Sequence, residues 1–334
     1  MTIGIETAET PALSPDADEL ARRPKLTTPM DLVAKLENLY RCGLATGSST
    51  GWPCLDRLWQ VHSGLLVIVT GWPGSGKSEW LDALALNLIA KAGWTFAYFS
   101  PENLPSELHL QKLLEKVLRI PFFDGPTKRM ESHELAAGVG LLEGKVTWLP
   151  TGKPNGDGLT IEDILDDADA WLQSNAEWDK PGLVIDPWNE IAHRRAANVL
   201  ETEYVSIVLG RIRRWARDRN VTVFVVAHPA KLPRDANGKL PIPRPDSIST
   251  SIHFWNKADI ALTVWRDIHA DPPSRSVDVH VQKVRFKHHG RPGIATFEWD
   301  RVTGTYSDPE TKVVPIQGRK AKAKPLDEKG EIEL

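Results

Sequence analysis

The chain is poor in cysteine, carries little net charge and has no long apolar run. Two cysteines occur in 334 residues, Cys42 and Cys54, and their spacing matches neither a Cys-x-x-Cys metal pair nor a disulfide framework. A zinc module and a cystine-stapled fold are thereby excluded. No apolar stretch approaches the roughly 20 residues that span a bilayer. The opening "MTIGIETAETPALSPDADEL" lacks the basic-then-apolar layout of a secretory signal, so the cytoplasm is the expected compartment and no membrane partner is expected. A net charge of −3 with a pI near 6.4 removes a uniformly basic surface. Contact with nucleic acid would then come from local patches, or from loops multiplied by oligomerisation. No repeat with a period of about 20–50 residues is present, which excludes a solenoid.

What remains is enough for a large core, since 41% of the residues are hydrophobic. The composition suits one α/β domain of about 250 residues with polar tails. Residues 1–28 are polar and aperiodic and are expected to be a disordered leader. Residues 29–45 hold "MDLVAKLENLYRCG", where Leu32, Leu36, Leu39 and Tyr40 form a helical stripe that Gly43 stops. That helix either folds back on its own domain or packs on a neighbouring subunit. Residues 46–310 are expected to form the globular domain, and 311–334, ending "QGRKAKAKPLDEKGEIEL", a disordered charged tail.

Within the domain, apolar β-rich runs alternate with helical patterns, the signature of βαβ units and a mostly parallel sheet. Strands are expected at 65–69, 95–100, 146–149, 183–186, 222–227, 260–265, 277–287 and 294–299, with helices at 78–92, 105–118, 161–173 and 201–218. The last three strands follow one another directly, which predicts a C-terminal antiparallel meander closing the parallel sheet.

"GWPGSGKS" at 71–78 fits G-x-x-x-x-G-K-[ST], follows the apolar run "LLVIV" and opens a helix. Glycines let backbone N–H groups turn toward phosphates, the helix N-terminus adds positive potential, and Lys77 supplies a point charge. Ser78 offers a hydroxyl to Mg²⁺, and Asp186, ending the apolar run in "LVIDP", offers the second metal ligand. The expected nucleotide-binding set is Gly71, Pro73, Gly74, Ser75, Gly76, Lys77, Ser78 and Asp186, with ATP and Mg²⁺ as cofactors. Pro187 occupies the place after Asp186 where many ATPases keep a glutamate. Glu102 in "AYFSPEN" is the alternative base, able to orient and deprotonate water, unless it only caps the following helix; Glu190 is a rival. His228 ends "VTVFVVAH", and a His at a strand's end is, from the residues alone, more often a hydrogen-bonded structural residue than a functional one. The segment after it, "PAKLPRDANGKLPIPRPD", carries Lys231, Arg234, Lys239 and Arg244 and is a candidate phosphate-contacting loop or an ordinary solvated one. "HRR" at 193–195, with Arg194 at its centre, is a second, weaker patch. In "VQKVRFK", alternation puts Lys283, Arg285 and Lys287 on one face, either as charged guards of an edge strand or as functional cations.

In order, "TGWPGSGKS", "AYFSPENLPSELHLQKLLEK", "LVIDPWNE", "VFVVAHPAK" and "VQKVRFKHHGRPG" resemble the five motifs of the hexameric RecA-like helicases of the DnaB, phage primase-helicase and Twinkle type, with Twinkle wording the nearest. The resemblance covers roughly residues 46–307. It implies a RecA-like P-loop fold and an ATP-driven DNA helicase that forms a ring, expected to be a hexamer, on single-stranded DNA. It implies Glu102 as base, His228 as γ-phosphate sensor, and Lys283 with Arg285 reaching the neighbour's nucleotide, Arg285 as finger. Relatives carry a primase-like domain ahead of the helicase and the first 45 residues are too few for one, so a separate primase or loader is expected. The other readings are a DNA-binding ATPase that remodels partners without unwinding, and a nucleotide-gated regulator that never touches DNA.

Overall fold

The computed structural model describes residues 27–174, 179–234, 240–248, 251–268, 270 and 274–309. Most of the expected leader, nearly all of the expected tail, and Lys239 lie outside the described residues. The chain divides into two units, one ending at Ala45 and the other starting at Thr46.

In the first unit, helix α1 (Val33–Cys42) ends at Gly43, whose φ of 72° lets its N–H turn back to the Leu39 carbonyl. Its apolar residues Val33, Leu36, Leu39 and Tyr40 are exposed.

The second unit is built on one nine-stranded sheet. Its strands are β1 (Leu66–Thr70), β2 (Thr95–Phe99), β3 (Val146–Trp148), β4 (Pro181–Ile185), β5 (Thr222–Val226), β6 (Ile260–Trp265), β7 (Ser276–Val284), β8 (Gly293–Trp299) and β9 (Tyr306–Ser307). They lie in the order β3-β2-β4-β5-β1-β6-β7-β8-β9. Pairing is parallel from β3 to β6 and antiparallel from β6 to β9. This is the mostly parallel sheet with a closing antiparallel meander that the alternating pattern predicts, and it fits the RecA-like fold that the resemblance implies.

The helices of this unit are α2 (Pro53–Asp56), α3 (Lys77–Ala92), α4 (Ser106–Leu118), α5 (Ser132–Leu142), α6 (Ile161–Gln173), α7 (Glu201–Asp218) and α8 (His253–Lys257). Both faces of the parallel strands are covered, which is why β1, β2, β4 and β5 read as unbroken apolar runs rather than alternating ones. Strand β1 shows the two layers. Leu66 and Ile68 join Ile164, Leu165, Leu209 and Ile212 of α6 and α7, while Val67 and Val69 join Trp80, Leu84 and Leu88 of α3 and Val277, Val279 and Val281 of β7. Leu66 and Ile68 are fully buried, so truncating either to Ala is expected to cost about 2–5 kcal/mol.

Two expectations are corrected. Strand β4 stops at Ile185, leaving Asp186 as the first residue past the strand. Strand β7 stops at Val284 instead of continuing to Lys287. In the β6–β7 ladder the register shifts between Ala261 and Leu262, where Gln282 is passed over and the alternation breaks; pairing resumes at Lys283 and Val284 and stops where β6 begins, at Ile260, with the Arg285 N–H donating 2.8 Å to the Asp259 carbonyl ahead of it. Period-two alternation therefore does not carry as far as Lys287. The sequence reading also missed α5, the short helices α2 and α8, and β9.

Candidate nucleotide site

Four neighbouring parallel strands end on the same side of the sheet, where open α/β sheets place their ligands. From β1 the chain runs into the phosphate loop 71–76, and α3 starts at Lys77. At Gly71 a Cβ would sit 2.2 Å from the Val264 carbonyl, so only glycine passes there. Gly76 opens the helix with φ 92°, a left-handed conformation that glycine adopts without strain. Strand β2 delivers Glu102 on a turn at Pro101–Asn103, β4 delivers Asp186, and β5 leads through Ala227 to His228.

These segments enclose a cleft of about 490 Å³ lined by Pro73, Gly74, Gly76, Lys77, Ser78, Glu79, Glu102, Asn103, Lys112, Asp186 and His228. The Lys77 ammonium donates to the Gly71 carbonyl at 3.0 Å and the Trp72 carbonyl at 3.3 Å. Burial pulls it down to about 8, against the opposing pull of the Asp186 and Glu102 carboxylates. Burial likewise pushes Asp186 up to about 6; a hydrogen bond with Ser78 and the charge of Lys77 resist the rise, while the charges of Asp82 and Glu102 add to it. His228 Nε2 stands 3.7 Å from Glu102 Oε1, too far for a direct hydrogen bond but within reach through one water. Burial, then the charge of Lys77, lowers the imidazole below its ordinary value, against the opposing pull of Glu102. Its Nδ1 is buried without a hydrogen-bond partner among the described residues.

The residues present fit a magnesium-bound nucleoside triphosphate. Ser75 is buried with its hydroxyl unpartnered, and the loop is too tight at Gly71 for any side chain. Ser78 and Asp186 are already joined by a hydrogen bond and form a hard-oxygen pair. Among the described residues no group of three or more His, Cys, Asp or Glu could hold a metal alone. The Ser78–Asp186 pair suits Mg²⁺, which takes one or two protein oxygens and would fill its octahedron with phosphate and water.

No protein-family model matches the chain. A relative named Twinkle homolog protein, chloroplastic/mitochondrial, from Arabidopsis thaliana is 40% identical over 275 residues, or 80% of this chain. Over those residues the chain is similar to one region of that Twinkle homolog. It spans 38% of that relative's length. Two solved structures share the fold. One is described as an ATPase domain, at TM-score 0.70 and 18% identity over 86% of this chain and 100% of the other. The second is a DnaB-like replicative helicase described with its interactions with primase, at TM-score 0.69 and 18% identity over 87% of this chain and 69% of that one.

Lys283, Arg285, Lys231, Arg234, Arg194 and Glu190 are not among the cleft's lining residues. Arg285 packs on the end of α8, donating to the Asn256 carbonyl at 2.5 Å and the Ala258 carbonyl at 3.1 Å, with Nε 3.0 Å from Asp259 Oδ1. The fully buried Asp259 also takes Arg213 at 2.7 Å and Arg217 at 3.3 Å, so one carboxylate serves three guanidiniums. Lys283 donates to the Trp255 carbonyl and lies 5.7 Å from the Trp255 ring centroid. Burial, then the Arg285 charge, pulls its ammonium down to about 8. Lys231 and Arg234 are exposed on the segment leaving His228, and Arg194 stands 3.8 Å from Asp157.

Sequence reasoning missed the cleft's supports. Lys112 donates 3.0 Å to Asn103 and lies 3.6 Å from Glu79, while Lys116 pairs with Glu79 at 2.5 Å, so α4 braces the Glu102 turn against α3. Behind Ser78, Asp82 takes His109 Nε2 at 3.1 Å, and Trp148 donates 3.0 Å to His109 Nδ1. Arg266 donates 2.7 Å to the Gly74 carbonyl. The i, i+4 lysines of α4 were the one local hint; the other partners come from distant strands.

Proposed function

We propose that the chain is an ATP-dependent, ring-forming DNA helicase that moves along single-stranded DNA. The observation that carries this reading is the cleft that brings together Lys77, Ser78, Glu102, Asp186 and His228, from which the cation-bearing segment 229–248 departs directly at His228.

Lys77 leaves the two loop carbonyls for phosphate oxygens, which are better acceptors for an ammonium. Ser78 and Asp186 hold the metal, and Mg²⁺ with ATP supplies charge neutralisation along the triphosphate. Glu102, half exposed beside the cleft, orients a water and takes its proton. His228, next to Glu102, exchanges hydrogen bonds as the γ-phosphate changes, and its backbone carries that change into 229–248. Exposed Lys231 and Arg234, with Lys239, meet DNA phosphates, and Arg194 adds a second contact. Lys283 and Arg285 act across a subunit boundary. Arg285 can leave Asp259 cheaply, because Arg213 keeps that carboxylate paired through two nitrogens. A hexamer is the expected ring, with a primase or loader as separate partner. The working compartment is one where DNA is replicated, the cytoplasm or, as in the relative's name, an organelle.

ATP turnover with and without single-stranded DNA, followed by a forked-duplex assay, tests the reading. Stimulation together with strand separation is expected. Stimulation without separation would select a remodelling ATPase, and no stimulation would exclude both.

A further inference from the structure

The segment that leaves the cleft at His228 is fastened at its far limb as well as its near one. Its base is closed by the Pro229–Ile248 bridge and by the Ala230 N–H, which donates 2.8 Å to the Ser247 carbonyl. On the returning limb, the Pro241 carbonyl accepts the Trp72 indole N–H at 2.9 Å. The Pro243 carbonyl accepts the buried Thr263 hydroxyl at 2.9 Å and the Gln282 amide at 3.3 Å.

Trp72 is the second residue of the phosphate loop, yet it is not among the residues lining the cleft. Its two polar ends do different things. The backbone carbonyl accepts from the Lys77 ammonium, and the indole donates to the returning limb. Any phosphate that takes the Lys77 ammonium competes with the Trp72 carbonyl for it, so the Trp72 peptide is where a change in the cleft first reaches the chain outside it. Proline at 241 and 243 fixes φ on the limb and removes its own N–H donors, so a displacement there is transmitted rather than absorbed.

We propose that Trp72 is a positioning residue that ties the phosphate loop to the returning limb of segment 229–248 and so makes single-stranded DNA affinity depend on bound nucleotide. The inference rests on the helicase reading above and adds to it a second tie, separate from His228. Thr263 steadies the same limb from β6, which gives an independent way to loosen it.

The test is a fluorescence-anisotropy titration of a labelled single-stranded oligonucleotide, with and without a non-hydrolysed ATP analogue and Mg²⁺. The ratio of the two affinities measures coupling, and by linkage the same ratio appears in nucleotide affinity with and without DNA. Trp72→Phe keeps an aromatic ring and loses the donor. Thr263→Val keeps the shape and loses the hydroxyl. Each is expected to lower the ratio by about three- to tenfold, the size of one hydrogen bond. Nucleotide affinity in the absence of DNA should be unaltered in Thr263→Val. A wild-type ratio in both variants overturns the proposal. So does a loss confined to Trp72→Phe and matched by weaker nucleotide binding without DNA, which would make Trp72 merely part of the cleft. A wild-type protein that binds DNA equally with and without nucleotide overturns it too, and that failure belongs to the helicase reading, being visible before any substitution.

Discussion

Asp186→Asn should make the nucleotide-free protein more stable while stopping ATP turnover. Asp186 is 4% exposed, and its carboxyl is raised from 3.8 to about 6, chiefly by burial. Between those values the folded protein holds a proton that the unfolded chain has released, so stability falls as pH rises through that window. Above about pH 6 the whole penalty is present. Two pKa units at about 1.4 kcal/mol each make it roughly 3 kcal/mol. Asparagine removes the charge and can still accept from Ser78, but its amide N–H groups need acceptors, which returns about 1 kcal/mol or more. The net gain is about 1–2 kcal/mol at pH 8, or roughly 2–8 °C in Tm for a domain of this size. Calorimetry without nucleotide or Mg²⁺ at pH 8 and pH 5 reads it, and the gap between variant and wild type should narrow at pH 5. A variant less stable than wild type at pH 8, or a gap independent of pH, would refute the argument that burial of an uncompensated carboxylate dominates this site.

Lys77→Ala should abolish turnover and weaken nucleotide binding, measured with a fluorescent ATP analogue, because it removes the charge facing the phosphates. Glu102→Gln should bind nucleotide as wild type does and turn over at least about a hundredfold more slowly; normal turnover there with a dead Glu190→Gln would move the base to Glu190. Replacing Lys231, Arg234 and Lys239 with Ala should leave basal hydrolysis in place, remove its stimulation by single-stranded DNA and flatten the salt dependence of binding. Arg285→Ala should bind ATP and fail to hydrolyse it, by on the order of 10³-fold, with a larger loss than Lys283→Ala. Mixed assemblies of Arg285→Ala and Lys77→Ala subunits should recover part of the activity, and verified mixed assemblies with none would end the role across the boundary.

The parallel core was legible because strands covered on both faces leave continuous apolar runs, and the helices 161–173 and 201–218 were found to the residue from their amphipathic period. The phosphate loop was legible because its geometry demands glycine at fixed places, Gly71 above all. Where reading failed, the information was not local. Strand β7 was overextended because its end is set by where its partner β6 begins, at Ile260, and "VRFK" continues to alternate regardless. Helix α5 escaped because "SHELAAGVGLL" has two glycines and a weak polar face. Lys283 and Arg285 were seen as cations on one face, but nothing in the sequence showed that Asp259, an otherwise ordinary residue before a strand, collects Arg213, Arg217 and Arg285 together.

The ends of the sheet bear on how copies of this chain can meet. Among the described residues, strand β3 at one edge has three residues and β9 at the other has two, so each offers only a short row of N–H and C=O groups to another strand, while β9 covers β8 only at Glu298 and Trp299 and leaves its earlier residues as the longer open stretch. A second copy meeting β3 or β9 finds too few partners there to prolong the sheet as a fibril would. Copies joined instead through side chains and helix faces make contacts that can slide and re-form one at a time while each sheet stays whole.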